Sequence, residues 1–170
     1  MINLRIDLDQ KNLQAFISLA PKTIFNAQKS AINTTTTFAN KLLQTRMAAA
    51  TGLPGSIFKK FRMFSRSGRS HGFIFLGFNP VKAGYAGKLS QEPGGASAGQ
   101  YYWAGGFVAT MRSGHASIFK RKGGRRLPLA EQEVLIPQAE SIAEQVADEA
   151  AAELQRRYLE KLQAALLRAG

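Results

Sequence analysis

Cysteine is missing from this chain altogether, histidine occurs twice and tryptophan once. Without a thiol there is no disulfide, no thiolate nucleophile and no soft metal ligand, which fits a reducing compartment without proving one. No run of about 18 apolar residues exists to cross a bilayer, and the opening MINLRIDLDQ has no apolar leader centre, so an unexported protein away from membranes is expected. His71 and His115 each stand beside a glycine, with no cysteine to help hold an ion. Solvent or packing roles suit them better than metal ligation, and no metal or cofactor is expected. Acids are scarce where cations gather: Glu92 is the lone carboxylate between Lys59 and Arg126, too few to hold magnesium for a nuclease. No nucleophile elbow, phosphate-loop or dinucleotide glycine pattern occurs. A protein without catalysis is the expectation.

What is present is a chain of 170 residues, 45% hydrophobic, suited to one domain with a real core. Its net charge of +12 is unevenly spread. Residues 1–58 carry six Lys/Arg against two Asp; residues 59–126 carry thirteen against Glu92; residues 127–170 carry four against eight acids. A basic middle beside an acidic end suits two purposes. The cations can meet nucleic acid, or one copy's basic face can meet the acidic face of the next.

Hydrophobic periodicity predicts an α+β fold, an antiparallel sheet of about four to six strands packed against an N-terminal and a C-terminal helix. Residues 1–8 alternate as a short strand or extended arm. Asp9 caps a predicted helix carrying Leu13, Phe16, Ile17 and Leu19, which Pro21 interrupts or restarts. Helical spacing then runs from Lys22 to Ala50, with Gly52 as its stop and Thr34 to Thr37 as a weak point within it. Pro54 opens a short helix through Lys60. Residues 61–66 and 72–79 read as a hairpin, the second strand apolar enough to be buried on both faces.

Residues 82–104 are rich in Gly, Ser and Ala and read as a flexible loop, broken at Pro93-Gly94-Gly95. At its end Tyr101, Tyr102 and Trp103 suit either an interface or the start of a core strand. Residues 105–136 read as a three-stranded meander in the same sheet, with turns at Ser113-Gly114 and Gly123-Gly124, the latter a two-residue hairpin. From Pro137 to about Arg168 an apolar stripe of Ile142, Val146, Ala150, Leu154, Tyr158 and Leu162 marks the final helix.

Lys120, Arg121, Lys122, Arg125 and Arg126 converge on the second hairpin tip. Such crowding of like charge costs free energy unless solvent or a polyanion compensates. With Lys59, Lys60, Arg62, Arg66 and Arg69 they make a candidate basic patch for phosphate backbone. Neutralising about five phosphates would give a salt slope of roughly −4.5. Glu131, Glu133, Glu140, Glu144 and Asp148 form a candidate acidic face between copies.

The order of parts also resembles a known family. A step at Thr51-Gly52-Leu53-Pro54 leads into Phe58-Lys59-Lys60-Phe61-Arg62, followed by a strand ending Gly77-Phe78-Asn79-Pro80. Then come Gly106-Phe107-Val108, Gly114-His115, Ile118-Phe119-Lys120-Arg121, Gly123, Arg126-Leu127-Pro128-Leu129 and Ile136-Pro137. This is similar to the minor tail protein Z family of phages and prophages, the tail completion proteins, over nearly the whole chain and most firmly around Phe119 to Pro128. Residues 88–100 have no counterpart in the family pattern. The resemblance implies a virion structural protein at the head-proximal end of a long non-contractile tail, made in the host cytoplasm. It implies a ring, hexameric by expectation, beside the tail terminator and tail tube, around the channel that double-stranded DNA traverses. The competing expectation from charge alone is a basic protein that binds DNA without regard to sequence, outside any virion. An adaptor for acidic lipid surfaces is a third.

Overall fold

The computed structural model describes residues 2–7, 21–77, 79–136 and 138–167, and only the backbone of β1, Phe61, Arg62, Phe64, Leu166 and Leu167. Two long helices form its body, α1 (Pro21–Thr51) and α2 (Ala139–Leu167). Arg46 meets Glu149, while the Arg157 guanidinium lies 5.5 Å from the Phe38 ring centre. Eight residues down one helix therefore match eight up the other, and the pair is antiparallel. Ala31, Ala39, Ala143 and Ala150 are buried beside Ile32, Leu43, Met47, Val146 and Leu154, so small residues let the backbones approach while large ones fill the seam.

The helix does not weaken at its threonines. Thr34, Thr36 and Thr37 each return a hydroxyl proton to the carbonyl four residues back, at 2.8–3.0 Å. Thr35 and Thr36 are buried. A side chain at Gly72 would stand 2.0 Å from the Thr36 hydroxyl, so the strand backbone runs directly against this part of α1. Packing outweighs the modest helix cost of β-branched residues. Gly52, at φ +62°, then ends α1 by donating its N–H to the Ala48 carbonyl. A helical turn at Gly55–Ile57 follows and continues as a π-helical turn over Phe58–Arg62, two residues past the expected end.

The α+β class holds, but the single sheet does not. Among the described residues, eleven strands make four small antiparallel sheets. The first joins β1 (Ile2–Asp7), β3 (His71–Leu76) and β2 (Met63–Ser67), with β3 central, and lies against the helices. Gly72, Ile74 and Leu76 face the core, whereas Phe73 and Phe75 are half-buried, so among the described residues β3 is covered more fully on one face than on the other. At Pro80, which has no N–H for a ladder, the chain leaves this sheet. Among the described residues, its next strand, β4 (Val81–Lys82), pairs only with β11 (Glu133–Val134), and the later strands pair in other ladders.

Residues 82–104 are not a loose loop. They hold the end of β4, a 3₁₀ turn at Ala83–Tyr85, and a meander of β5 (Leu89–Glu92), β6 (Gly95–Ala98) and β7 (Tyr101–Ala104). Their small residues serve close packing. Ala96 and Ala98 are fully buried, and a Cβ on Gly95 would come within 2.5 Å of the Trp103 carbonyl oxygen. The meander also closes the end of α1, whose Thr51 carbonyl accepts from the Gln100 amide at 2.9 Å and from the Tyr101 hydroxyl. Tyr101 and Trp103 pack against the core, while Tyr102 is exposed.

The last sheet orders β10 (Leu129–Glu131), β9 (Ala116–Arg121) and β8 (Phe107–Thr110). The turn at Ser113-Gly114 is present, with Gly114 at φ +81°. The turn at Gly123-Gly124 is not the expected two-residue hairpin. Leu129 pairs with Arg121, which leaves residues 122–128 as a seven-residue loop, and neither glycine has positive φ. The predicted helix at residues 9–19, together with Phe78, Pro137 and Arg168, lies outside the described residues.

Candidate polyanion-binding site

The register of the last sheet shapes the basic tip. Phe107 of β8 pairs with Phe119 of β9, and β8 reaches no further at that end. Beyond it, Lys120 and Arg121 pair only with Ala130 and Leu129. A two-stranded ribbon thus extends past the three-stranded part and ends in the seven-residue loop. Every residue from Lys120 to Pro128 is exposed. The Arg121 guanidinium sits 5.8 Å from the Phe107 ring centre, and the Lys122 N–H donates to the Pro128 carbonyl at 3.2 Å. Among the described residues, no carboxylate pairs with Lys120, Arg121, Lys122, Arg125 or Arg126.

The other expected cations do not join this loop in one sheet. Lys59 and Lys60 are exposed on the π-helical turn, Arg66 on β2, and Arg69 between β2 and β3 with its guanidinium 6.0 Å from the Phe25 ring centre. All belong with the first sheet, because the chain divides its strands among separate ladders. The side chain of Arg62 lies outside the described residues. The expected patch therefore draws on a helical turn, a strand and a connecting bend beside the first sheet and on the loop of the last. Only the loop concentrates five cations in seven residues.

The acidic face divides as well. Glu133, Glu140, Glu144 and Asp148 are exposed. Glu131 is not available to a neighbour. It lies on β10, where its carboxylate takes Lys82 Nζ at 2.9 Å and His115 Nε2 at 2.6 Å with only 17% of its side chain exposed. Burial pushes its carboxyl upward, but hydrogen bonds from Lys82, His115 and Ser117 outweigh that and hold it below its ordinary value. The same Glu131 hydrogen bond and charge raise Lys82. Sequence reasoning missed this cluster because strand pairing brings Lys82 to Glu131.

The cluster borders a cavity of about 330 Å3 lined by Ile57, Pro80, Val81, Lys82, Tyr85, His115 and Glu133. Among the described residues no group of three His, Cys, Asp or Glu is placed to hold a metal ion, and no helix is long and apolar enough to cross a membrane. No protein-family model, curated protein or solved structure matches the chain.

Sequence reasoning also passed over Leu127. It is 66% exposed between Arg126 and Pro128. Its signal in the sequence is an apolar residue placed directly after a run of cations and before Pro128.

Proposed function

We propose that this chain is a non-catalytic structural virion protein that completes the head-proximal end of a long non-contractile phage tail. It does so as a ring beside the tail terminator, with the Lys120–Arg126 loop turned toward DNA in the channel. The observation that carries the reading is the loop itself: five exposed cations without a carboxylate partner among the described residues. Charge crowded in this way is stabilised by a polyanion beyond what solvent alone supplies. The family resemblance supplies the virion setting.

In a cyclic ring each contact is head to tail. The exposed acids Glu133, Glu140, Glu144 and Asp148 then face a neighbour's Lys59, Lys60, Arg66 and Arg69, leaving the loop for the lumen. Electron microscopy of particles assembled without the chain tests the assignment. Filled heads and tails that remain unjoined are expected; complete, infective particles overturn it. If the purified chain instead stays a monomer, binds duplex at low salt and ignores tail-tube ends, a DNA-binding role outside a virion replaces this one.

A further inference from the structure

A polyanion would answer the loop's charge; the ribbon's dimensions and its exposed leucine name the surface it meets. We propose that the β9–β10 ribbon tip enters the major groove of duplex DNA, with the cations on the flanking phosphates and Leu127 against the base edges. The inference rests on the DNA reading of the loop and goes beyond it, since phosphate binding alone needs no groove and no apolar group.

Three observations carry it. Past Phe119 the sheet narrows from three strands to two. With strands about 4.8 Å apart, a two-stranded ribbon and its side chains match a groove about 12 Å wide, whereas the minor groove at about 6 Å is too narrow. The loop of residues 122–128 turns back on itself, so its tip extends at most on the order of 10 Å, comparable to the major-groove depth of about 8.5 Å. Lastly, Leu127 is 66% exposed on the returning arm of that loop, with Arg125 and Arg126 before it. An apolar side chain among cations gains nothing from phosphate or solvent, but base edges in the major groove include thymine methyl groups that it can cover.

The test uses the full chain and a labelled 20-base-pair duplex, followed by fluorescence anisotropy across a salt series. Binding should fall steeply with salt, be displaced by the major-groove ligand methyl green, and survive the minor-groove ligand netropsin. Leu127→Ala should weaken binding roughly five- to tenfold with an unchanged salt slope, and its circular dichroism and thermal midpoint should match the parent, because the side chain is exposed. Displacement by netropsin, or equal affinity in Leu127→Ala, overturns the groove assignment while leaving the phosphate interaction standing. Absence of duplex binding at low salt overturns both. Leu127-dependent binding to phosphatidylserine vesicles without duplex binding assigns the tip to a lipid surface instead.

Discussion

The arginines of the helical body and the cations of the β9–β10 loop live under opposite conditions. On the helices, Arg46 reaches Glu149, and Glu153 is gripped by both Arg156 and Arg157. Each of these charges is answered within the fold. On the loop, five charges crowd into seven residues and none is answered by a carboxylate among the described residues. Natural surfaces readily interleave both signs, as α2 does. The helix arginines therefore act within the fold, while the loop's charge faces outward.

Removing apolar volume from the helical seam should separate the two regions most forcefully. Leu154 is 2% exposed in the core, where α2 packs on α1. Leu154→Ala should cost about 3 kcal/mol through lost burial and the cavity left behind, read as a lower urea midpoint. At temperatures where the variant remains folded, its salt slope on duplex DNA should equal the parent's. A changed slope would mean that the helices, and not the loop, hold the phosphates.

The reverse experiment removes charge and spares the fold. Arg125→Ala combined with Arg126→Ala should alter stability by no more than about 0.5 kcal/mol, since both side chains are exposed. The slope of log affinity against log salt should become shallower by roughly 1.8, or about 0.9 for each phosphate no longer neutralised. In assembled particles the same variant should impair head joining or DNA retention. An unchanged slope and an unchanged yield of infective particles would remove the loop from function.

The same contrast explains what could be read from the sequence. Both long helices were legible because Ile24, Ala27, Ala31 and Val146, Ala150, Leu154 repeat near the helical period. The loop's charge was legible by inspection. The β5–β7 meander was not, because strand signals depend on bulky alternating residues. Here the central strand buries Ala96 and Ala98, and its Gly95 leaves no room for a side chain beside Trp103. The division into four sheets also escaped, since periodicity within a strand carries no information about its partner. Glu131 was misassigned for that reason: Lys82 and His115 reach it only after β4 and β9 have found their places. Leu127 was visible as a residue, but its exposure depended on the register that ends the ladder at Leu129.

The smallest effect belongs to the paired side of the comparison. Glu153 accepts from Arg156 Nη2 at 2.7 Å and Arg157 Nε at 2.6 Å, one helical turn away in each case. Hydrogen bonds from Arg156 and Arg157 pull its carboxyl from the ordinary 4.5 down to about 2. A carboxyl depressed in the folded state contributes stability that is present above its unfolded value and lost as pH falls through its folded one. The thermal midpoint of the parent should therefore exceed that of Glu153→Gln above pH 5, and the gap should close between about pH 4.5 and 2. Because Arg156 is more than half exposed, added salt should narrow the gap at neutral pH as well. The loop carries only arginine and lysine between residues 120 and 126 apart from its glycines, so duplex binding should show no change over the same acid range that traces to the loop. A gap between the two midpoints that survives undiminished at pH 2 would assign Glu153 a packing role and leave the helical charges without the function argued for them.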